Sequence, residues 1–91
     1  MENIEYKIYK YEQTPVPNPD SNIIGFLITN TDSGKYNNIE CTLTFSETNN
    51  MTEEEICQMA FTKLKLQIDS IVERLKNSDN QVVGKVFLPS N

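Results

Sequence analysis

The sequence contains no histidine, so the commonest general base and the commonest metal ligand are both missing. The best catalytic set among the remaining residues is a carboxylate pair, Glu40 and Glu47, with Tyr36 close by in the sequence. No motif indicates a pocket or a shifted pKa around that pair. Gly34 lies in a turn-like stretch without the Walker pattern of a phosphate loop. We therefore expect a protein that is not an enzyme and that has no catalytic, cofactor-binding or metal-binding residues.

Cysteine is almost as scarce. The two cysteines, Cys41 and Cys57, are not arranged in the closely spaced pairs of metal or redox motifs. Both fall on apolar faces of their predicted elements. We expect reduced thiols packed in the core, since a free cysteine behaves as a small apolar residue.

Positive charge is also in short supply, with 8 basic residues against 13 acidic ones and a net charge of −5. No basic stripe is present, so nucleic acid and anionic membranes are not expected partners. The N-terminal residues lack the basic and apolar regions of a signal peptide, and no apolar run reaches membrane-spanning length. The remaining class of partner is protein.

A chain of 91 residues makes a single domain, residues 1–91, with room for one core but not for a deep cleft. Residues 14–22 contain three prolines, which exclude a helix or a central strand there. We interpret this segment as an extended connection between the first two strands. A docking peptide for an aromatic groove is the alternative interpretation.

The long stretch from Met51 to Lys76 has the apolar period of one helix. Its start is predicted by a capping box, in which Thr52 and Glu55 satisfy each other's backbone N–H groups. Its apolar residues share one arc, the wide stripe of a helix lying on a sheet. That arc contains Ile56, Cys57, Ala60, Phe61, Leu64, Ile68, Ile71, Val72 and Leu75.

The rest of the chain has strand patterns. The first strand changes phase near Ile8 and Tyr9, which predicts a β-bulge or, alternatively, a strand covered on both faces. A hairpin turn at Asn30 to Lys35, with Gly34 at positive φ, separates the second and third strands. The strands are predicted at Ile4 to Gln13, Ile23 to Ile28, Tyr36 to Phe45 and Gln81 to Leu88.

These elements predict an α+β fold of order β-β-β-α-β, with one long helix packed across one face of a mostly antiparallel sheet. One helix leaves much apolar surface open on the other face. Met59 and Leu66 fall outside the apolar stripe of the helix. They are either covered by a loop or the proline-rich segment, or they contact another chain. We expect an interface at Met59, Leu66, Leu27, Tyr9 and Tyr11.

In size, acidity, asparagine-rich usage and sheet-plus-helix pattern, the chain resembles small accessory proteins of tailed phages that infect low-GC Gram-positive bacteria. The resemblance implies a structural protein, either a capsid or tail component of a virion or an assembly factor. Such a protein acts as a homo-oligomer, binds copies of itself or virion proteins, and resides in the host cytoplasm or the virion. A phage-encoded inhibitor of a host defence protein and a small-molecule-binding module are the alternatives. No functional residue is carried over from this resemblance.

Overall fold

A computed structural model describes residues 3–15, 17–77 and 88–90. These residues form three strands followed by two helices, so the general α+β class is confirmed. The predicted last strand, Gln81 to Leu88, lies outside the described residues apart from Leu88, which is exposed. The elements are β1 (Ile4–Gln13), β2 (Ser21–Asn30), β3 (Tyr36–Thr44), α1 (Glu53–Lys63) and α2 (Lys65–Asn77).

The described strands form an antiparallel sheet of order β1-β2-β3. The register between β1 and β2 shifts between Ile8 and Lys10, so Tyr9 has no opposite residue in β2. The change of phase in the first strand is therefore a β-bulge, as the sequence predicted. The bulge shifts the alternation of side chains by one residue. Tyr6 and Ile8 before it and Tyr11 after it therefore lie on the same side of the sheet, which faces the helices.

The proline-rich connection between β1 and β2 is closed at its base by Thr14. The backbone N–H of Thr14 donates to the carbonyl of Ser21 at 2.9 Å. The hydroxyl of Thr14 accepts from the backbone N–H of Asp20 at 3.0 Å. These bonds close the base of the hairpin between β1 and β2.

The prediction of one continuous helix is wrong, because α1 ends at Lys63 and α2 begins at Lys65. Leu64, between them, has φ −93° and ψ 4°. The hydroxyl of Thr62 donates to the carbonyl of Gln58 at 2.9 Å, a contact with the preceding turn that bends helices. Helical bonding resumes at once, since the N–H of Ile68 donates to the carbonyl of Leu64 at 2.8 Å.

The start of α1 is the predicted capping box. The N–H of Glu55 donates to the hydroxyl of Thr52 at 3.2 Å, and the N–H of Thr52 donates to the carboxylate of Glu55 at 2.9 Å. Two N–H groups that the helix itself leaves without partners are thereby satisfied.

The core lies between the two helices and one face of the sheet. All nine apolar residues of the predicted helical stripe are buried in it or packed against it. Met59 was predicted to lie outside the core, but it is half-buried and packs against it. The buried core consists of Ile24, Phe26, Ile28, Leu43, Ile56, Ala60, Leu64, Ile68, Ile71 and Leu75.

Asn30, which is fully buried, joins the β2–β3 hairpin to α2. Its side-chain amide donates to the carbonyl of Leu75 at 3.2 Å, and its side-chain oxygen accepts from the N–H of Asp32 at 2.9 Å. Gly34 in the same turn has φ 80°, which confirms its predicted positive φ. The buried side chain of Asn30 therefore holds the turn and links it to the C-terminal part of α2.

Candidate interaction surface

Strand β1 lies at an edge of the described sheet, with β2 on one side of it. An α-helix is about 10–12 Å wide and strands lie about 4.8 Å apart, so one row of helices covers about two strands. Here α1 packs on β3, and α2 packs on β2 and β3. The helix-facing side of β1 is therefore only partly covered, which leaves Tyr6 47% exposed and Ile8 51% exposed.

A cleft of about 790 Å³ opens between β1 and α1 as a result. Most of its lining is apolar or aromatic, and its polar groups come mainly from the first turns of α1. It is lined by Tyr6, Lys7, Ile8, Tyr11, Phe26, Glu53, Glu54, Cys57, Gln58 and Phe61.

Three aromatic rings form one wall of the cleft. The ring of Phe61 meets that of Tyr6 edge-on, with centroids 5.4 Å apart and an interplanar angle of 87°. It meets Phe26 in the same way at 5.6 Å and 85°. Phe61 therefore connects the buried core to the exposed side of β1, and edge-to-face pairs of this kind hold rings in fixed positions.

One end of the cleft is acidic. Glu53 and Glu54 are exposed in the first turn of α1, where the unpaired N–H groups of the helix favour negative charge. Burial, and then the charge of Glu53, raise the pKa of both Tyr11 and Cys57. The phenol and the thiol are therefore neutral at pH 7, and the negative charge is concentrated at the rim.

The two cysteines are free and packed against the core, but each is only half-buried. Cys41 lies on the helix-facing side of β3, opposite Ile24, while Cys57 lines the cleft. Burial raises the pKa of the Cys41 thiol as well. Packing against the core is confirmed for both thiols, although full burial is not.

The opposite face of the sheet carries a polar cluster around Gly25. The hydroxyl of Tyr9 donates to the carboxylate of Glu40 at 2.7 Å and accepts from the amide of Asn38 at 3.1 Å. The ammonium of Lys10 lies 2.9 Å from the same carboxylate. Lys10 and Tyr9 together lower the pKa of Glu40, and Glu40 raises the pKa of both partners.

Glu47 belongs to a different group, in the loop between β3 and α1. It accepts from the N–H of Thr44 at 2.9 Å and from the Thr44 hydroxyl at 3.1 Å, and it pairs with Lys63. Lys63 and Thr44 lower the pKa of Glu47 to about 2. Glu40 and Glu47 thus have separate partners, and Tyr36 is exposed at the start of β3.

The predicted interface residues do not form one surface. Of the five, only Tyr11 lines the cleft. Tyr9 and Leu27 belong to the outer face of the sheet, where Leu27 is half-buried opposite Lys7. Met59 packs against the core, and Leu66 is 82% exposed on α2.

Sequence reasoning missed the cleft itself, which depends on Tyr6, Ile8, Cys57 and Phe61. The helical period places Cys57 and Phe61 on the core-facing stripe, and both pack against the core. Tyr6 and Ile8 lie on the same side of the sheet as the buried Ile28 and Phe26 opposite them. What the periodicity cannot show is that β1 is at an edge of the described sheet, where the helical layer covers it only partly. The phase change at Tyr9 was the available signal, because bulges are frequent at sheet edges.

No protein-family model, curated protein or solved structure matches the chain. Within residues 3–15, 17–77 and 88–90, neither helix has the length and hydropathy needed to cross a bilayer.

Proposed function

We propose that the chain is a non-catalytic interaction protein that assembles with copies of itself, as a component or an assembly factor of a phage virion. The observation that supports this proposal best is the exposure of Tyr6 and Ile8 beside the cleft between β1 and α1. Exposed aromatic and aliphatic side chains next to an apolar groove are typical of protein-binding surfaces.

The cleft is better suited to a protein segment than to a catalytic role. Its rim carboxylates, Glu53 and Glu54, lie side by side in a helical first turn, whereas its walls are apolar. Burial, and then the charge of Glu53, raise the pKa of the Cys57 thiol in the lining, which disfavours the reactive thiolate form. A surface of this kind contributes to binding through burial of Tyr6 and Ile8.

The assignment to a virion depends on the resemblance in size, acidity and asparagine-rich usage. Neighbouring genes discriminate between the two phage roles. Capsid or tail genes beside this one support the virion role, whereas early regulatory genes support an inhibitor of a host defence protein.

A small-molecule site is the second candidate, because the volume of the cleft, about 790 Å³, is within the range of about 300–1,000 Å³ for ligand pockets. Its polar side chains come mainly from the first turns of α1, whereas a small-molecule site needs a few polar groups that converge on the ligand. Self-assembly therefore remains the favoured function.

Sedimentation velocity of the full chain over a range of concentrations tests the proposal. We expect reversible self-association. Ile8→Ser should weaken it by at least about tenfold, because every copy loses the apolar side-chain surface that association would bury. Leu66→Ser is the matched control, because Leu66 is exposed on α2, outside the cleft.

If the wild-type chain is a monomer at high micromolar concentration, the proposal of self-assembly is wrong. An effect of Leu66→Ser without an effect of Ile8→Ser would move the contact to α2. Leu66 is tested alone because Met59 packs against the core, so its substitution would also change the stability of the fold.

A further inference from the structure

We propose that β1 pairs antiparallel with β1 of a second copy, around a two-fold axis at Tyr6, so that two sheets join into one. This inference rests on the proposed self-assembly and adds to it a surface, a register and a symmetry. The partner that binds at β1 is a second copy of this chain.

The backbone of β1 offers the groups for such pairing. The carbonyl of Asn3 accepts from the N–H of Thr31 at 2.9 Å, so these two residues form a hydrogen-bonded pair of the β1–β2 ladder. Hydrogen-bonded and non-hydrogen-bonded pairs alternate along antiparallel strands. Glu5 and Lys7 therefore bond toward β2, whereas Ile4, Tyr6 and Ile8 direct their N–H and C=O groups away from it.

The charges of β1 select the register. Glu5 and Lys7 lie on the outer face, one on each side of Tyr6. An axis at Glu5 would place two glutamates opposite each other, and an axis at Lys7 would place two lysines opposite each other. An axis at Tyr6 places each Glu5 opposite Lys7 of the other copy. Opposite charges directly across a strand pair are stabilising and like charges are destabilising.

The same register agrees with the hydrogen-bonding geometry. With the axis at Tyr6, Tyr6 faces Tyr6 and Ile4 faces Ile8 of the second copy. All of these are residues whose N–H and C=O groups point outward, so they form hydrogen-bonded pairs. The Glu5–Lys7 pairs become non-hydrogen-bonded pairs, whose side chains approach most closely.

The apolar surface described above is covered in this arrangement. A two-fold axis perpendicular to the sheet keeps the helix-facing sides of both copies on the same side. Ile4 of the second copy then lies beside Ile8 at the cleft, and the two Tyr6 side chains become neighbours. Tyr6 and Ile8, about half exposed in one chain, would be buried against their counterparts.

The bulge after Ile8 marks where the proposed pairing between the two β1 strands ends. Residues from Ile4 to Ile8 follow a regular register, and the shift begins after Ile8. Bulges twist a strand and terminate pairing. Within one chain Glu5 is opposite Thr29 and Lys7 is opposite Leu27, so a change of charge at either site creates no like-charge contact across the β1–β2 ladder. The Glu5 carboxylate lies 3.7 Å from the Lys7 ammonium along β1 itself. A single exchange therefore also removes this exposed pair, a loss that affects the stability of each chain and that thermal denaturation detects separately from self-association.

Charge exchange tests the inference by sedimentation velocity on the full chain. Glu5→Lys and Lys7→Glu each place like charges opposite each other twice in the dimer. We expect each single variant to weaken self-association by about tenfold or more, and the double variant E5K/K7E to return to within about threefold of wild type. Salt should reduce the loss in the single variants, because the pairs are exposed.

Glu12→Lys is the matched control, since it changes the net charge as Glu5→Lys does but lies on β1 beyond the bulge. It should leave association unchanged. Thermal denaturation of each variant checks that the fold is intact.

The outcomes separate this inference from the proposed function. If wild type assembles but the single exchanges have no effect, or the double exchange does not restore assembly, the β1 pairing is overturned while self-assembly remains. If wild type stays monomeric, both are overturned. Equal weakening by Glu12→Lys would show an effect of net charge and would also overturn the register.

Discussion

The ring of Tyr9 lies directly over Gly25: a Cβ atom on Gly25 would come within 2.7 Å of two ring atoms of Tyr9. The bulge in β1 makes this contact possible, because it frees Tyr9 from the ladder. A polar cluster with Glu40 then holds the hydroxyl. The middle of the outer sheet face is thus covered by the protein's own side chain.

Gly25→Ala should lower the free energy of unfolding by about 1–3 kcal/mol, the usual cost of forcing an extra methyl group into a filled site. In a Tyr9→Ala background the same change should cost clearly less, because the ring is gone and alanine is favoured over glycine within a strand by about 0.5–1 kcal/mol. The Cβ of Lys10, 3.0 Å from the added methyl group, is then the one close contact left of those to Tyr9 and Lys10. Chemical denaturation of the four proteins in this double-mutant cycle measures the difference. Equal effects in both backgrounds would contradict the contact.

Thr52→Ala should lower the stability by about 0.5–2 kcal/mol, because it removes the hydroxyl that accepts from the N–H of Glu55. Thr52→Ser keeps that acceptor and serves as the control. Urea denaturation of wild type and both variants provides the comparison. A loss of similar size in the serine variant would point to the methyl group instead of the cap.

Glu47 should make the protein sensitive to acid. Its pKa is lowered from about 4.5 to about 2 in the folded chain, so the unfolded chain binds its proton first as the pH falls. The contribution of Glu47 is therefore complete above pH 4.5 and is lost as the pH falls through 2. The difference in stability between wild type and Glu47→Gln should shrink over that interval in denaturation curves measured at several pH values. A difference that does not change with pH would contradict the pairing with Lys63 and Thr44.

Local signals in the sequence were sufficient for much of this fold. The alternation in β1, its bulge near Tyr9, the turn at Gly34 and the capping box at Thr52 all involve neighbouring residues. Such features depend on backbone geometry and short-range hydrogen bonds, which a few residues specify. Each of them is present as predicted.

Features that depend on long-range packing were not predictable. The helix break at Leu64 accompanies the bond from the Thr62 hydroxyl to Gln58, yet threonine occurs in many unbroken helices. Met59 packs against the core although the helical period places it outside the stripe. The cleft beside Tyr6 exists because the helical layer lies over β2 and β3. No residue pattern within β1 specifies that the helical layer leaves this strand partly uncovered.

Amide hydrogen exchange along β1, followed by NMR at low and high protein concentration, tests the proposed pairing most directly. The amides of Glu5 and Lys7 bond to β2 within one chain and should be protected at every concentration. The amides of Ile4, Tyr6 and Ile8 should exchange quickly in dilute protein and become protected as the concentration rises. Fast exchange of these three at all concentrations, or protection that is already complete in the most dilute sample, would contradict pairing with a second copy.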